Sequence, residues 1–277
     1  MKNKIYNPNK MIFVGIILLL VIISSCILAQ VITHEDPYLG QVEERFIQPN
    51  LDHFFGTDNM GRDIFTRVLY GGRWTLTASF ITMVITLALG IFLGIICGYY
   101  EGKWFDILIL RIMDSLMGFP FMILAMIIAA FFGTGLFHLL SAVILVKWIP
   151  FARLSRSIVL KGKHEVKVLA AKVSGASDIK IIFDELLPQI WISCFVLATF
   201  ELGELILSIS ALSFFGLGAK PPLPEWGSML ADSKSYFFRA PYLVMGPSIY
   251  ILLTVLGLNL IGEGLRDKLT PYEKIKL

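Results

Sequence analysis

Apolar residues in this chain gather in long unbroken runs rather than alternating with polar ones. The first extends from Met11 to about Val31, and others follow at about Thr77 to Tyr99, Ile107 to Phe132, Leu139 to Leu154, Gln189 to Ser213 and Tyr242 to Ile261. Most approach the roughly 20 residues that a helix needs to cross a bilayer. In hydrocarbon every backbone amide must be satisfied inside the segment or inside a closed barrel, and continuous rather than alternating runs select helices. The pattern therefore predicts an all-α polytopic membrane protein with about six transmembrane helices.

The polar positions qualify this picture. Lys2, Lys4 and Lys10 precede the first run, and Ser24-Ser25-Cys26 faintly resembles a lipoprotein cleavage site, so a signal peptide competes with a span there. The run continues through Ile27, Leu28 and Ala29, which favours an uncleaved span with a cytoplasmic N-terminus. Arg153, Arg156, Lys161, Lys163, Lys167, Lys172 and Lys180 crowd between the fourth and fifth runs, and Arg266, Lys268, Lys274 and Lys276 follow the sixth. Such density places that loop and the C-terminus in the cytoplasm too, which an even number of spans requires.

Between the first two runs, Phe55 to Leu76 reads FGTDNMGRDIFTRVLYGGRWTL. Gly56, Gly61, Gly71 and Gly72 punctuate it, and Ile64, Phe65, Val68 and Leu69 fall at helical spacing, which predicts a short interfacial helix. Arg62, Asp63 and Arg67 read as a structural ion pair. In the second span Gly90, Gly94 and Gly98 recur every four residues, a ladder that lets a neighbouring helix approach closely. Arg111 and Asp114 lie three apart on one face of the third, as an ion pair near the cytoplasmic end or as pathway residues. Pro120 should kink or break that span. Glu201 and Glu204 share a face of the fifth, as candidates for cation contact, proton transfer or a hydrogen-bonded lock. Beyond it, Gly216, Gly218, Pro221, Pro222 and Pro224 forbid a continuous helix, and Trp226 suits an interface.

The polar island from Glu165 to Pro188, EVKVLAAKVSGASDIKIIFDELLP, predicts two short amphipathic helices hinged at Gly175. Ala170 and Ala171 are strong helix formers, Gly175 suits a left-handed helix end, Asp178 can cap the second helix, and Pro188 marks the next apolar segment. A short helix with small residues on one face can dock in a partner's groove.

Composition narrows the chemistry. The 277 residues are 56% hydrophobic and 16% charged, with a mean hydropathy of +0.74, which fits a bilayer as solvent. A net charge of +3 without a basic and aromatic stripe argues against nucleic acid. Cys26, Cys97 and Cys194 lie in apolar runs and read as core residues. His34, His53, His138 and His164 show no ligand spacing, so no metal site is expected on this chain, and a metal cargo would arrive chelated. No GxxxxGK[ST], HExxH or Ser/His/Asp arrangement marks an active site, so no catalytic residue is assigned.

These residues carry a resemblance. Ala170-Ala171, three residues, Gly175, then Leu187-Pro188 resembles the EAA loop of ATP-binding-cassette importer permeases, with Leu169 where that loop has Glu and Glu165 one turn earlier. FGTD with GRD, the Arg111, Asp114 and Phe119-Pro120 pattern, LSFFGLGAKPPLPEWGSML from Leu212 to Leu230, and the block from Asn259 to Pro271 resemble the dipeptide/oligopeptide/nickel branch. Ile209 stands where that branch often has Glu, and Glu263 and Thr270 where it has Asp. The resemblance implies the type I importer permease fold, with Glu165, Leu169, Ala170, Ala171, Gly175 and Pro188 in an ATPase-coupling loop at 160–188. Together with the apolar runs and the Lys and Arg placement, it divides the chain into a cytoplasmic N-terminus and first span at 1–31, an extracytoplasmic or interfacial segment at 32–76, a transmembrane domain at 77–265 and a cytoplasmic tail at 266–277. It further implies a bacterial cell-membrane location, a second homologous permease subunit, two ATPase subunits binding ATP and Mg, an extracellular solute-binding protein, and no cofactor on this chain. The cargo would be peptides, nickel or metal-chelate complexes. The competing reading is a proton-coupled secondary carrier using Glu201 and Glu204, although such carriers commonly show two similar halves and no repeat is visible here.

Overall fold

A computed structural model describes residues 7–133 and 135–269. Lys2, Lys4, Thr270, Pro271, Lys274 and Lys276 lie outside the described residues. In chain order the helices are α1 (Pro8–Ile27), α2 (Ala29–Ile32), α3 (Ile64–Tyr99), α4 (Trp104–Met117), α5 (Phe121–Phe132), α6 (Leu136–Lys147) and α7 (Ile149–Gly162), followed by α8 (Val166–Val173), α9 (Asp178–Ile181), α10 (Leu187–Phe214), α11 (Trp226–Ser233) and α12 (Met245–Leu269). Among the described residues there is no strand beyond an isolated bridge between Thr57 and Asp63.

Five stretches are long and apolar enough to cross a membrane, namely Pro8–Ile27, Ile64–Tyr99, Leu136–Gly162, Asp178–Phe214 and Pro241–Leu269. A sixth arises if α4 and the start of α5, bent by 100° at their junction, count as one broken span. The break falls at Gly118 to Pro120, where proline offers no amide to continue the ladder and clashes with the preceding turn.

Three elements depart from the sequence pattern. The expected interfacial helix and second span are one 36-residue helix, α3. Gly71 and Gly72 do not break it, because they serve close packing: a side chain at Gly72 would run into Trp226 and Cys26. The fifth span does not begin afresh at Pro188. Helix continues from Asp178 into α10 through a π-turn at Ile182–Leu186, in which the Leu187 amide reaches back five residues to the Ile182 carbonyl. Pro188 has no amide for the Asp184 carbonyl, and the wider turn relieves that mismatch. Finally, Arg62 pairs with Asp58 at 2.7 Å rather than with Asp63, and Arg67 approaches the same carboxylate at 3.7 Å. Asp63 instead caps α3, accepting the Thr66 amide at 2.6 Å, and is hydrogen-bonded to His53 Nδ1 at 3.1 Å. Folding thus brings His53, Asp63 and Glu35 together, with donor atoms within 4.8 Å of one another, a grouping that linear spacing hides.

The chain forms two compact units. One contains residues up to Phe80, 129–140 and Thr199 onwards, and the other Ile81–Ile128 and Ser141–Ala198. In the first, α1 lies against α12 at glycine contacts, where a Cβ on Gly15 would stand 2.6 Å from the Gly257 carbonyl. Ile22, Cys26, Ile206, Trp226, Ile251 and Leu258 form its core, and a second cluster of Ile64, Val68, Met229, Ala240 and Leu243 seats the polar segment before α3. In the second unit, Met113, Val146, Trp148, Ile149 and Ala152 form the core. The glycine ladder of α3 packs on α7 there. A Cβ on Gly94 would lie 2.5 Å from the Ala152 carbonyl and 2.6 Å from Ser155 Cβ, and one on Gly98 would lie 2.7 Å from Val159 Cβ. Cys26, Cys97 and Cys194 are buried free thiols.

Candidate functional site

The polar island leaves α7 at Gly162 and folds as α8, a hinge, and α9. Helix α8 ends in a complete Schellman motif: the Gly175 amide donates to the Lys172 carbonyl at 3.1 Å, and the Ala176 amide to the Ala171 carbonyl at 3.0 Å. Gly175 takes φ +82°, a left-handed value that a side chain would strain. Asp178 was expected to cap α9, but Ser177 does so, its Oγ accepting the Lys180 amide at 3.4 Å. Asp178 is free to receive the Tyr99 hydroxyl at 2.5 Å because its position is already inside the helix.

Val168, Ile181 and Leu186 turn inward and are buried. Val166, Leu169, Ala170 and Val173, spaced three and four residues apart on the other face of α8, are exposed, Val166 at 83% and Val173 at 90%. Leu169 thus continues an apolar stripe where the EAA pattern would place a charge. Glu165 precedes α8 without capping it by its side chain and lies 3.6 Å from Lys167 Nζ, which also reaches Glu185 at 3.6 Å.

The island is fastened to the α3–α4 turn. Lys163 pairs with Glu101 at 2.6 Å, and this partner holds the Glu101 carboxyl below its usual range. Arg156 grips Asp106 through two hydrogen bonds of 3.0 Å, and Arg153 meets Asp114 at 2.7 Å. Asp114 therefore pairs across to α7 and not with Arg111, which is exposed on α4. Along-helix spacing allowed the local pair, but the α7 guanidinium lies directly opposite. On α10, Glu201 is half-buried and Glu204 exposed, and each makes contacts of its own.

The residue that sequence reasoning missed is Glu225. It is fully buried and caps α11, accepting the Gly227 and Ser228 amides at 2.9 Å each and the Thr75 hydroxyl at 3.4 Å. Beside it, the Trp226 indole donates to the Val68 carbonyl at 2.9 Å. Burial pushes the Glu225 carboxyl up, against the opposing pull of these hydrogen bonds. Little in the sequence signalled it, since Ser, Thr, Asp and Asn usually begin a helix and Glu does not.

Helices of bilayer length, one of them broken, joined by a two-helix polar island, define a polytopic helical membrane protein. The chain belongs to the family of binding-protein-dependent transport system inner membrane components, whose model matches residues 90–272, and it is a permease subunit of that importer class. It is 42% identical over 266 residues to the dipeptide transport system permease protein of Alkalihalophilus pseudofirmus, covering 96% of this chain and 87% of that one. Over 228 residues it is 44% identical to the glutathione transport system permease protein of Escherichia coli, covering 82% and 74%. A putative peptide transport system permease protein of Brucella suis is 40% identical over 266 residues, covering 95% and 88%. The carrier reading built on Glu201 and Glu204 is not supported by this membership.

Proposed function

We propose that this chain is the non-catalytic permease of an ATP-driven peptide importer and that residues 160–188 receive the ATPase stroke. The observation that carries the coupling role is the exposed apolar stripe of Val166, Leu169 and Val173 on a helix surrounded by lysines. A stripe of this kind in a polar loop fits a partner's groove. The stripe is stiffly mounted: the Schellman turn at Gly175, the Tyr99–Asp178 hydrogen bond and the Lys163–Glu101 pair link α8 and α9 to α3, and α7 runs directly into them. Movement of the docked helix would pass to α7 and α3, alternating access to a central path.

In this reading ATP and Mg are bound by two separate ATPase subunits, a second homologous permease completes the path, and an extracellular binding protein delivers the cargo. Both termini and the loop lie in the cytoplasm, and 32–76 is extracytoplasmic or interfacial. Peptides lead as cargo because relatives of high identity are named for dipeptide and glutathione transport, and metal-chelate complexes are the second choice.

The test is uptake of labelled dipeptide and nickel complexes, with ATPase activity, in proteoliposomes holding the co-encoded subunits. Val173→Asp, which places a charge on the stripe, and Gly175→Pro, which removes the donated amide and the left-handed φ, should leave the spans folded and lower ATP-dependent uptake at least tenfold. Normal uptake by both would overturn the coupling role, and the label transported by wild type identifies the cargo.

A further inference from the structure

An apolar groove of about 470 Å³ opens in the first unit among α1, α3, α10 and α12. Its walls are hydrocarbon, chiefly Leu19, Ile23, Leu76, Phe80, Leu202 and Ile206. Ile23 and Phe80 are 40% and 60% exposed, so the groove opens sideways, toward the surroundings of the helices.

At its mouth stands one cation. Arg73 donates through Nε to the Cys26 carbonyl at 2.7 Å and through Nη2 to the Ile27 carbonyl at 2.9 Å, satisfying the last carbonyls of α1. Its guanidinium also lies 4.7 Å from the Tyr70 ring centre. Among the described residues no carboxylate lies within ion-pair distance of Arg73, and its Nη1 has no hydrogen-bond partner. Arg73 lies near the end of the first apolar run, since α1 ends at Ile27 and the chain turns polar from Thr33 onward. These carbonyls and the ring leave its positive charge without a counterion, so the remaining Nη1 can donate to an anion, and the groove beside it can take an alkyl chain.

We propose that this groove holds a glycerophospholipid of the leaflet at the C-terminal end of α1, its phosphate on the Arg73 guanidinium and one acyl chain against Leu19, Ile23, Leu76 and Leu202. Guanidinium is suited to phosphate, since its fixed fork can give hydrogen bonds from more than one nitrogen. A peptide does not match these walls. The polar side chains along them besides Arg73 are Thr77 and Thr254, and the Thr254 hydroxyl is already spent on the Tyr250 carbonyl at 2.6 Å. A neighbouring apolar helix would fill the walls but leave Arg73 without its anion. The bound lipid would fill the space between α1 and α3, adding to the contacts α1 already makes with α12 and with Arg73.

The test uses the complete transporter reconstituted in nanodiscs with phosphatidylglycerol carrying a diazirine on its acyl chain. After photolysis, peptides containing Ile23 or Phe80 should carry the label. Arg73→Gln, which keeps hydrogen-bonding capacity but removes the charge, and Ile23→Trp, which fills the groove from its exposed rim, should each lower labelling at least tenfold. Native mass spectrometry should show one retained phospholipid per chain in wild type, lost in both variants. If Arg73→Gln fails to assemble, Ile23→Trp decides alone. Equal labelling in wild type and the assembled variants, or Ile23→Cys cross-linking to the second permease subunit in place of lipid, would overturn the proposal.

Discussion

Asp106 and Glu225 are both carboxylates hidden from water, and the chain stabilises them in opposite ways. Asp106, 1% exposed at the start of α4, meets a countercharge: Arg156 holds both its oxygens at 3.0 Å, and the Gly102 amide adds a bond of 2.9 Å. Glu225 meets no cation within ion-pair distance among the described residues. It relies on two backbone amides at the start of α11 and one hydroxyl. The first arrangement joins two helices through side chains that can be exchanged singly. The second is local, with the carboxyl fixed by the backbone it caps. In the proposed coupling role, force arriving at the polar island would travel through side-chain pairs, whereas Glu225 is bonded chiefly to the backbone of the helix it caps.

The largest expected effect comes from removing one side of the first arrangement. Arg156→Ala strands Asp106 without its countercharge and should cost about 3–5 kcal/mol, the usual range when one partner of a buried pair is deleted. The double change Arg156→Ala with Asp106→Asn should recover most of that loss, because no buried charge remains. Thermal unfolding of the detergent-solubilised complex measures both, and a single variant as stable as wild type would show that Asp106 is adequately solvated without its pair. Next in size is Gly94→Ala. The new methyl would meet the Ala152 carbonyl and Ser155 Cβ, both backbone or rigidly placed, so α3 and α7 must separate. Overpacking of this kind costs about 1–3 kcal/mol, and because α7 leads into the island, uptake should fall with stability.

Glu225 is best separated from Asp106 by pH. Its folded pKa is raised above the ordinary 4.5, so the native state holds the proton more tightly than the unfolded chain. Its contribution to stability is then greatest below about pH 4.5 and declines as pH rises from there through the folded value, after which it is flat. Glu225→Gln abolishes that decline while keeping an acceptor for the α11 amides. The melting temperature of wild type minus that of Glu225→Gln should fall with rising pH across this window. A difference that is constant, or that rises, would mean that the α11 cap holds a charged carboxylate as comfortably as water does.

Much of the fold was legible because the bilayer imposes it. Apolar runs located the spans, Pro120 located the break, and the four-residue spacing of Gly90, Gly94 and Gly98 announced a close helix contact. The island's turn was legible too, since a left-handed C-terminal position strongly favours glycine. What stayed hidden depends on partners distant in sequence. Gly71 and Gly72 read as punctuation, although Gly72 is small because Trp226 and Cys26 press on it. Asp114 read as the partner of Arg111 because three residues separate them, whereas the observed partner lies 39 residues away. The Glu225 cap was obscured by the prolines around it, and the grouping of Glu35, His53 and Asp63 exists only once the segment before α3 has folded.

The smallest effect tests whether the ion pairs along α4 and α7 are graded by burial. Arg153 and Asp114 approach more closely than Arg156 and Asp106, at 2.7 Å against 3.0 Å, yet their side chains are 45% and 58% exposed. At such exposure Coulomb attraction is screened and the cost of ordering two long side chains offsets most of the gain, so exposed pairs contribute about 0–1 kcal/mol. Asp114→Asn should therefore shift stability by less than about 1 kcal/mol, and even that difference should shrink in high salt. Arg156→Ala, by contrast, should keep most of its effect in the same salt, because Asp106 is closed to counterions. If the two variants respond to salt alike, burial is not what distinguishes the pairs, and the contrast between Asp106 and Glu225 would need to rest on their hydrogen bonds alone.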